Sequence, residues 1–256
     1  MSHGNSGMER KLASPTGLPH AQARDKTSAA SATTDQFISH RSVYQVCARL
    51  CTRDLVRTLS PLKCGTERQI SPYFWPNGKM PERSDWRELA RNDFRDYRLK
   101  VGGLVDNEVE LFLSDLRRLG KVEYTTIHHC IQGWTGIAKW GGIRLKDLLD
   151  LVRPRPVARV LAFFSFGGSL YGGTYYDTQL IENVLKPECI LAFEMNHQPL
   201  PEVYGAPLRL RVENQLGYKM VKWIERIEFI ESEKLIGKGK GGKNEDDEYF
   251  DLLPNI

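Results

Sequence analysis

Cys130 lies in the run Thr126-Ile127-His128-His129-Cys130-Ile131-Gln132-Gly133-Trp134, which sets a thiol and two imidazoles beside an indole. A thiolate held inside a shaped pocket is a soft ligand for a transition metal. Two further segments are unusual in composition. Tyr73-Phe74-Trp75-Pro76-Asn77-Gly78 offers aromatic faces and an amide. The stretch from Gly205-Ala206-Pro207-Leu208-Arg209 to Lys219-Met220-Val221-Lys222-Trp223 offers three cations, Arg209, Lys219 and Lys222, which suit a phosphate. A loop expected over 130–142 also holds Trp134 and Trp140, and its four glycines would let the backbone approach a ligand. Aromatic walls, close backbone and a cationic clamp fit a flat, phosphorylated cofactor, and the thiolate fits a soft metal carried on it.

Plainer readings stand beside these. A lone cysteine in an apolar setting is usually an inert small hydrophobe. Aromatic residues near Pro and Gly commonly anchor loops to a core, and cations at strand ends usually face water. His128 and His129 are adjacent, so on a strand they point to opposite faces and do not share a metal. Residue types alone leave the function undecided.

The elements that must position these groups read as short strands with few helices. Tyr97, Leu99 and Val101 alternate with polar residues up to Gly102-Gly103, and 109–113 reads as a second strand. Ser114 is expected to cap a short helix over 115–119. Leu145, Leu148, Leu149 and Val152 recur at helical spacing until Pro154. Strands are expected at 157–166, 191–195, 208–212 and 224–230, with a hairpin turn at Asn196-His197-Gln198-Pro199 and a glycine loop at Leu216-Gly217-Tyr218-Lys219. The sum is a mixed α+β domain, without the strand–helix alternation of a doubly wound sheet.

A chain of 256 residues with 41% hydrophobic and 10% aromatic content can bury one good core. The net charge of +4 is mild, and residues 1–65 hold nine Lys/Arg against four Asp/Glu, so the excess lies outside the core. That argues against nucleic acid as a partner. Five cysteines do not read as a disulfide framework. No nearby Cys or His completes a metal pattern around Cys47 and Cys51, while Cys64 stands alone and Cys189 sits in an apolar run. No apolar stretch reaches the length of a membrane span. Residues 1–65 are expected to be a disordered or weakly structured extension without an export signal, 66–235 the organised domain, and 236–256 a solvated C-terminal tail rich in Gly, Lys and acidic residues.

At the unusual loops the sequence resembles the sulfite oxidase superfamily of molybdopterin-dependent oxidoreductases. Cys130-x3-Trp134, Trp140-x-Gly142 and the Leu145-x2-Leu148-Leu149 helix resemble the loop that supplies the family's single protein thiolate to molybdenum. Gly205-Ala206-Pro207-Leu208-Arg209, Gly217-Tyr218-Lys219 and Lys222-Trp223 resemble its second signature, which grips the pterin and its phosphate. The resemblance runs over about 69–231. It implies a sulfite oxidase-type molybdopterin-binding fold of mixed short sheets, a molybdenum–molybdopterin cofactor, and Cys130 as the metal ligand. It also implies cofactor contacts from Tyr73, Phe74, Asn77, Ser165, Arg209, Lys219, Met220, Val221 and Lys222. Tyr176 is placed like the family's active-site tyrosine, with Tyr175 an alternative register, and Trp134 would wall the substrate. His128 or His129 would donate a hydrogen bond from behind the ligands. Tyr204 departs from the Asn or His that relatives often carry before the Gly-x-Pro.

The implied activity is oxygen-atom transfer or two-electron redox on a small-molecule substrate such as a sulfoxide, an N-oxide or a sulfite-like anion. Ile131-Gln132-Gly133-Trp134 lacks the arginine-bearing stretch of true sulfite oxidases and is closer to the periplasmic methionine sulfoxide reductase branch. With no cytochrome b5 or immunoglobulin-like module, electrons would pass to or from a separate electron-transfer protein, and a monomer is expected. The compartment stays open, the cytoplasm being favoured over export by the missing signal. The alternative is a non-catalytic binding module that keeps the molybdopterin-binding fold.

Overall fold

The computed structural model describes residues 68–169, 172–247 and 254–256. The expected N-terminal extension, with Cys47, Cys51 and Cys64, lies outside the described residues. In chain order the elements are α1 (Ser84–Arg91), β1 (Arg98–Gly103), β2 (Val109–Phe112), α2 (Leu113–Arg118), β3 (Lys121–His129), β4 (Thr135–Arg144), α3 (Leu145–Val152), β5 (Val160–Gly168) and β6 (Thr174–Leu180). There follow α4 (Ile181–Val184), β7 (Ile190–Met195), β8 (Gln198–Pro199), β9 (Arg209–Arg211), β10 (Ile224–Ile230) and α5 (Lys243–Asp246). Among the described residues no helix is long and apolar enough to cross a membrane.

Two five-stranded sheets carry the domain. The first has the order β2-β1-β10-β5-β6, antiparallel throughout except where β1 and β10 run parallel. The second runs β3-β4-β7, with β8 and β9 both pairing with β7 along its other side. Alternation in β1 buries Leu99 and Val101, whereas β5 and β7 are buried along nearly their whole length, which is why they read as continuous apolar runs. One contiguous core includes Leu161, Phe163, Ile227 and Phe229 from the first sheet and Trp140, Ile143, Leu191 and Phe193 from the second. α3 closes over it with Leu145, Leu148, Leu149 and Val152 buried, and ends at Arg153 in the left-handed region (φ 54°) before Pro154.

Three expectations are corrected. The loop over 130–142 is mostly strand: β3 and β4 form a long hairpin whose turn is only 130–134, because the glycines of 136–142 lie in the ladder and mark close approach. Ser114 does not cap α2; the helix starts at Leu113, and the Asp115 carboxylate accepts from the Phe112 N–H at 3.0 Å. Residues 236–247 are not solvated tail. The Asp246 side chain is buried and accepts from the Tyr176 hydroxyl and the Lys238 (2.8 Å) and Lys240 (3.3 Å) N–H groups, so the glycine-rich run curls around a carboxylate. Gly242 bridges to Asp177, and Leu216 N–H donates to the Pro254 carbonyl at 2.8 Å.

The turn at 196–199 forms as expected. Asn196 and His197 take φ of 51° and 66°, the pair of left-handed residues that a two-residue hairpin of this type needs.

Gly142 shows how tightly β4 meets β7. A Cβ there would lie 2.1 Å from the Leu191 carbonyl oxygen, at a register shift in the pairing. Gly142→Ala is expected to cost about 2–4 kcal/mol by forcing the strands apart. Gly168→Ala, whose Cβ would make ordinary contact at 3.5 Å, should stay within about 0.5 kcal/mol. Urea unfolding of the two variants checks the contrast.

Candidate active site

Cys130 sits where β3 ends, in a turn closed by two backbone bonds: Cys130 N–H to the Trp134 carbonyl and Gly133 N–H to the Cys130 carbonyl, both 3.0 Å. Its Sγ accepts from Asn77 Nδ2 at 2.9 Å and from the Gln132 N–H at 3.4 Å. The thiol is nearly buried, at 8% exposure. Phe74 anchors the segment that brings Asn77 across. Its ring packs edge-on against Trp134 (5.4 Å), Trp140 (5.6 Å) and Tyr204 (5.8 Å) and lies 5.2 Å from the His128 ring. Gly136 is needed beneath it, since a Cβ there would come within 2.9 Å of the Phe74 ring. Tyr204 takes part by donating to the Phe74 carbonyl at 2.7 Å.

β9 supplies the positive charge. Alternation puts Arg209 and Arg211 on the same side of the strand, and both guanidinium groups stack on Trp140, at 5.0 and 4.3 Å. Arg211 is fully buried and bound bidentate to Glu213 at 2.8 Å on each arm, while its remaining arm meets His128 Nδ1 at 3.1 Å. An arginine only donates, so Nδ1 accepts and the His128 proton is on Nε2. Burial, then Arg211 and Arg209, hold His128 far below its usual pKa, and it is neutral. Arg209 donates to the Tyr204 carbonyl at 3.0 Å, but among the described residues its Nε finds no partner and no carboxylate pairs with it. Burial and Arg211 push its pKa well down. A guanidinium nevertheless keeps its proton in proteins, so this charge calls for an anion.

Lys222 completes the group. Its Nζ donates to the Asn77 and Val203 carbonyls, the latter at 2.9 Å, and lies 4.0 Å from the Trp223 ring. Burial, then Arg209, push the ammonium down to about 6. Trp223 holds the chain in the left-handed region (φ 54°) at this point, a strained conformation for a bulky residue, fixed by its N–H to Gly205 (3.1 Å) and its indole to Glu202 (2.7 Å).

The structure therefore gathers Cys130, Asn77, Phe74, Trp134, His128, Arg209 and Lys222 in one connected cluster. It places others elsewhere. Lys219 is not in the clamp: it is buried in an ion pair with Asp177 and Glu245, which raise its pKa against the opposing effect of burial. Its charge is already matched inside the protein. Tyr176 faces Phe164 and donates to Asp246; Tyr175, one residue earlier and on the other face of β6, donates to the Tyr218 carbonyl at 2.7 Å. Ser165 spends its hydroxyl on backbone, donating to the Lys222 carbonyl and accepting from Gly167 N–H. Met220 and Val221 are buried, with Val221 in the core cluster, while His129 is half-buried. Tyr73 is 61% exposed and packs edge-on against Trp75. Sequence reading missed Arg211 and Glu213, although the Arg209-x-Arg211 spacing on a strand is a visible signal for a second cation on the same face.

A molybdopterin group fits these residues. The Nε1 atoms of Trp134 and Trp140 and the Nε of Arg209 are buried donors without an acceptor, which an anionic, acceptor-rich ligand would satisfy. Among the described residues no three His, Cys, Asp or Glu side chains converge as a metal cluster, so a metal at Cys130 would not draw its remaining ligands from such a cluster there. Cys130 would hold the metal, and Arg209 and Lys222 the anionic end.

Comparison with known proteins gives the same answer. Residues 87–235 match the family described as oxidoreductase molybdopterin binding domain. The segment carrying Phe74 and Asn77 precedes that match. The chain is 32% identical over 140 residues to the putative protein-methionine-sulfoxide reductase subunit YedZ1 of Azospira oryzae, covering 55% of this chain and 51% of that protein. It is 31% identical over 194 residues to the sulfite oxidase of Arabidopsis thaliana, covering 64% and 49%. With the protein-methionine-sulfoxide reductase catalytic subunit MsrP of Ralstonia nicotianae it shares 26% over 170 residues, covering 62% and 51%. The chain thus spans about half the length of the curated relatives it matches. Among solved structures, the sulfane dehydrogenase SoxCD of Paracoccus pantotrophus aligns with a TM-score of 0.48 at 24% identity, covering 54% of this chain and 39% of that one. With the family match over more than half of its length, the chain belongs to the oxidoreductase molybdopterin-binding domain family.

Proposed function

We propose that the chain is a molybdenum-dependent oxidoreductase acting by oxygen-atom transfer on a small neutral substrate, a sulfoxide or N-oxide, and exchanging electrons with a separate redox protein. The observation that carries this is the convergence on one spot of the Cys130 sulfur, held by an amide donor, and a buried guanidinium with an unmet donor. A non-catalytic module would have no physical need for that costly combination.

When bound, the cofactor supplies two-electron oxygen-atom chemistry at its metal. The chain's own residues do the rest. Cys130 anchors the metal through one soft donor, and Arg209 and Lys222 neutralise the cofactor's anionic end. Phe74 and Trp134 make an aromatic wall that sheds water. His128, neutral with its proton on Nε2, accepts from Arg211 and packs its ring against Phe74 and Trp134. The overall change balances as sulfoxide plus two electrons and two protons giving sulfide and water.

The preference for a neutral substrate rests on the turn 130–134, which presents Ile131, Gln132 and Trp134 and no cation. The relatives named for methionine sulfoxide reduction and for sulfite oxidation are both compatible with the fold, and this turn favours the former. Protein loaded with cofactor should reduce methionine sulfoxide from a reduced viologen with kcat/KM at least about tenfold above its oxidation of sulfite. A higher value for sulfite overturns the substrate reading.

Cys130→Ser should lower turnover by about 100-fold or more, because the soft donor to the metal is lost. Metal analysis of the purified wild type separates enzyme from module: molybdenum bound at near-equal amounts to protein supports the proposal, and zinc or no metal in cells able to make the cofactor contradicts it.

Lys222 gives a pH test. Its folded value, about 6, lies below the ordinary 10.5. Between those values the unfolded chain holds a proton that the folded, cofactor-free chain lacks, so stability falls as pH drops through this window and the full penalty is present below it. Urea midpoints should rise more between pH 7 and pH 9 for the cofactor-free wild type than for Lys222→Met, and equal rises would refute the burial of this ammonium.

A further inference from the structure

Asn77 reaches Cys130 from 53 residues away and puts its amide nitrogen 2.9 Å from the sulfur. The orientation is fixed by chemistry. A sulfur about to ligate a metal offers only acceptor lone pairs, so the donor end of the carboxamide is the end that can face it. The distance is short for a bond to sulfur, whose radius exceeds that of oxygen.

The residue is held there by contacts on both sides. Its backbone N–H donates to the Trp75 carbonyl at 3.1 Å, and its carbonyl accepts from Lys222 Nζ. The next residue, Gly78, lies against the Trp223 and Lys222 side chains, where a Cβ would meet them at 3.6 and 3.8 Å. The ammonium that would neutralise the cofactor's anionic end is therefore the one that fixes the backbone of the donor to the metal's thiolate. Clamp and ligand are mechanically one unit.

A hydrogen bond to a ligating thiolate draws electron density away from the metal and favours its reduced state. Resting on the molybdoenzyme reading above, we propose that Asn77 is a positioning residue that raises the reduction potential of the metal through its hydrogen bond to Cys130, and that Lys222 holds it in place for that role. Its effect is on electron density at the sulfur, in addition to any contact with the pterin.

The test is an EPR-monitored redox titration of cofactor-loaded protein, comparing wild type with Asn77→Leu and the near-isosteric Asn77→Asp at matched molybdenum content. Both variants remove the donor, and the aspartate replaces it with an acceptor. The Mo(VI)/Mo(V) midpoint should move to lower potential in both, furthest in Asn77→Asp, while Asn77→Gln, which keeps an amide donor, should recover part of the shift. Midpoints unchanged from wild type in variants that retain molybdenum overturn the proposal. If neither variant retains the metal, the wild type decides: with asparagine side chains labelled with 15N, pulsed EPR of the Mo(V) state should show a nitrogen coupling from Asn77, and its absence overturns the proposal. A wild type that binds no molybdenum defeats the underlying reading instead, so the two failures are distinguishable.

Discussion

A buried positive charge without a counter-ion among the described residues organises this molecule. Arg209 is almost fully enclosed, stacked on Trp140, and left with an unmet donor; Lys222 beside it is disfavoured as an ammonium by burial and by Arg209. Holding such charges in a folded chain without an anion costs several kcal/mol. Among the described residues the neighbouring buried cations Arg211 and Lys219 are each matched, by Glu213 and by Asp177 with Glu245. The contrast marks where a ligand belongs.

Everything around the cluster sets its distances. The β3–β4 hairpin carries Cys130 at its tip and Trp140 along its length, and β7 ties that hairpin to β9, where the arginines lie. Phe74 fastens the segment before the first helix onto the same hairpin, over Gly136, and so delivers Asn77 to the sulfur. The Gly217 turn, whose missing side chain makes room for the His128 ring, closes the far side. Three stretches remote in sequence thus meet through close backbone approach. Glycine is the residue that permits it.

Much of this was readable from the sequence, and for physical reasons. Cys130, Trp134 and Trp140 with Gly142 form a local pattern, and the cations at Arg209 and Lys222 sit in a second one; a local pattern survives folding because neighbours along the chain stay neighbours. The alternation rule correctly parted His128, which is buried, from His129, which is half-buried. What failed depended on partners far away. Lys219 looked like a clamp residue because nothing in its own stretch reveals that Asp177 and Glu245 neutralise it. The tail looked solvated because its charges are read as exposed until Asp246 is seen to be wrapped by backbone N–H groups and Tyr176. The stretch 130–142 looked like a loop because glycines break local patterns, whereas here they mark strands pressed together.

Whether the Cys130 sulfur is the protein's ligand to molybdenum is decided by X-ray absorption at the molybdenum edge. The wild type and Cys130→Ser are compared at equal metal content. With Cys130 as the ligand, the variant loses one sulfur neighbour from the metal's shell; an identical sulfur shell in both proteins rules that role out.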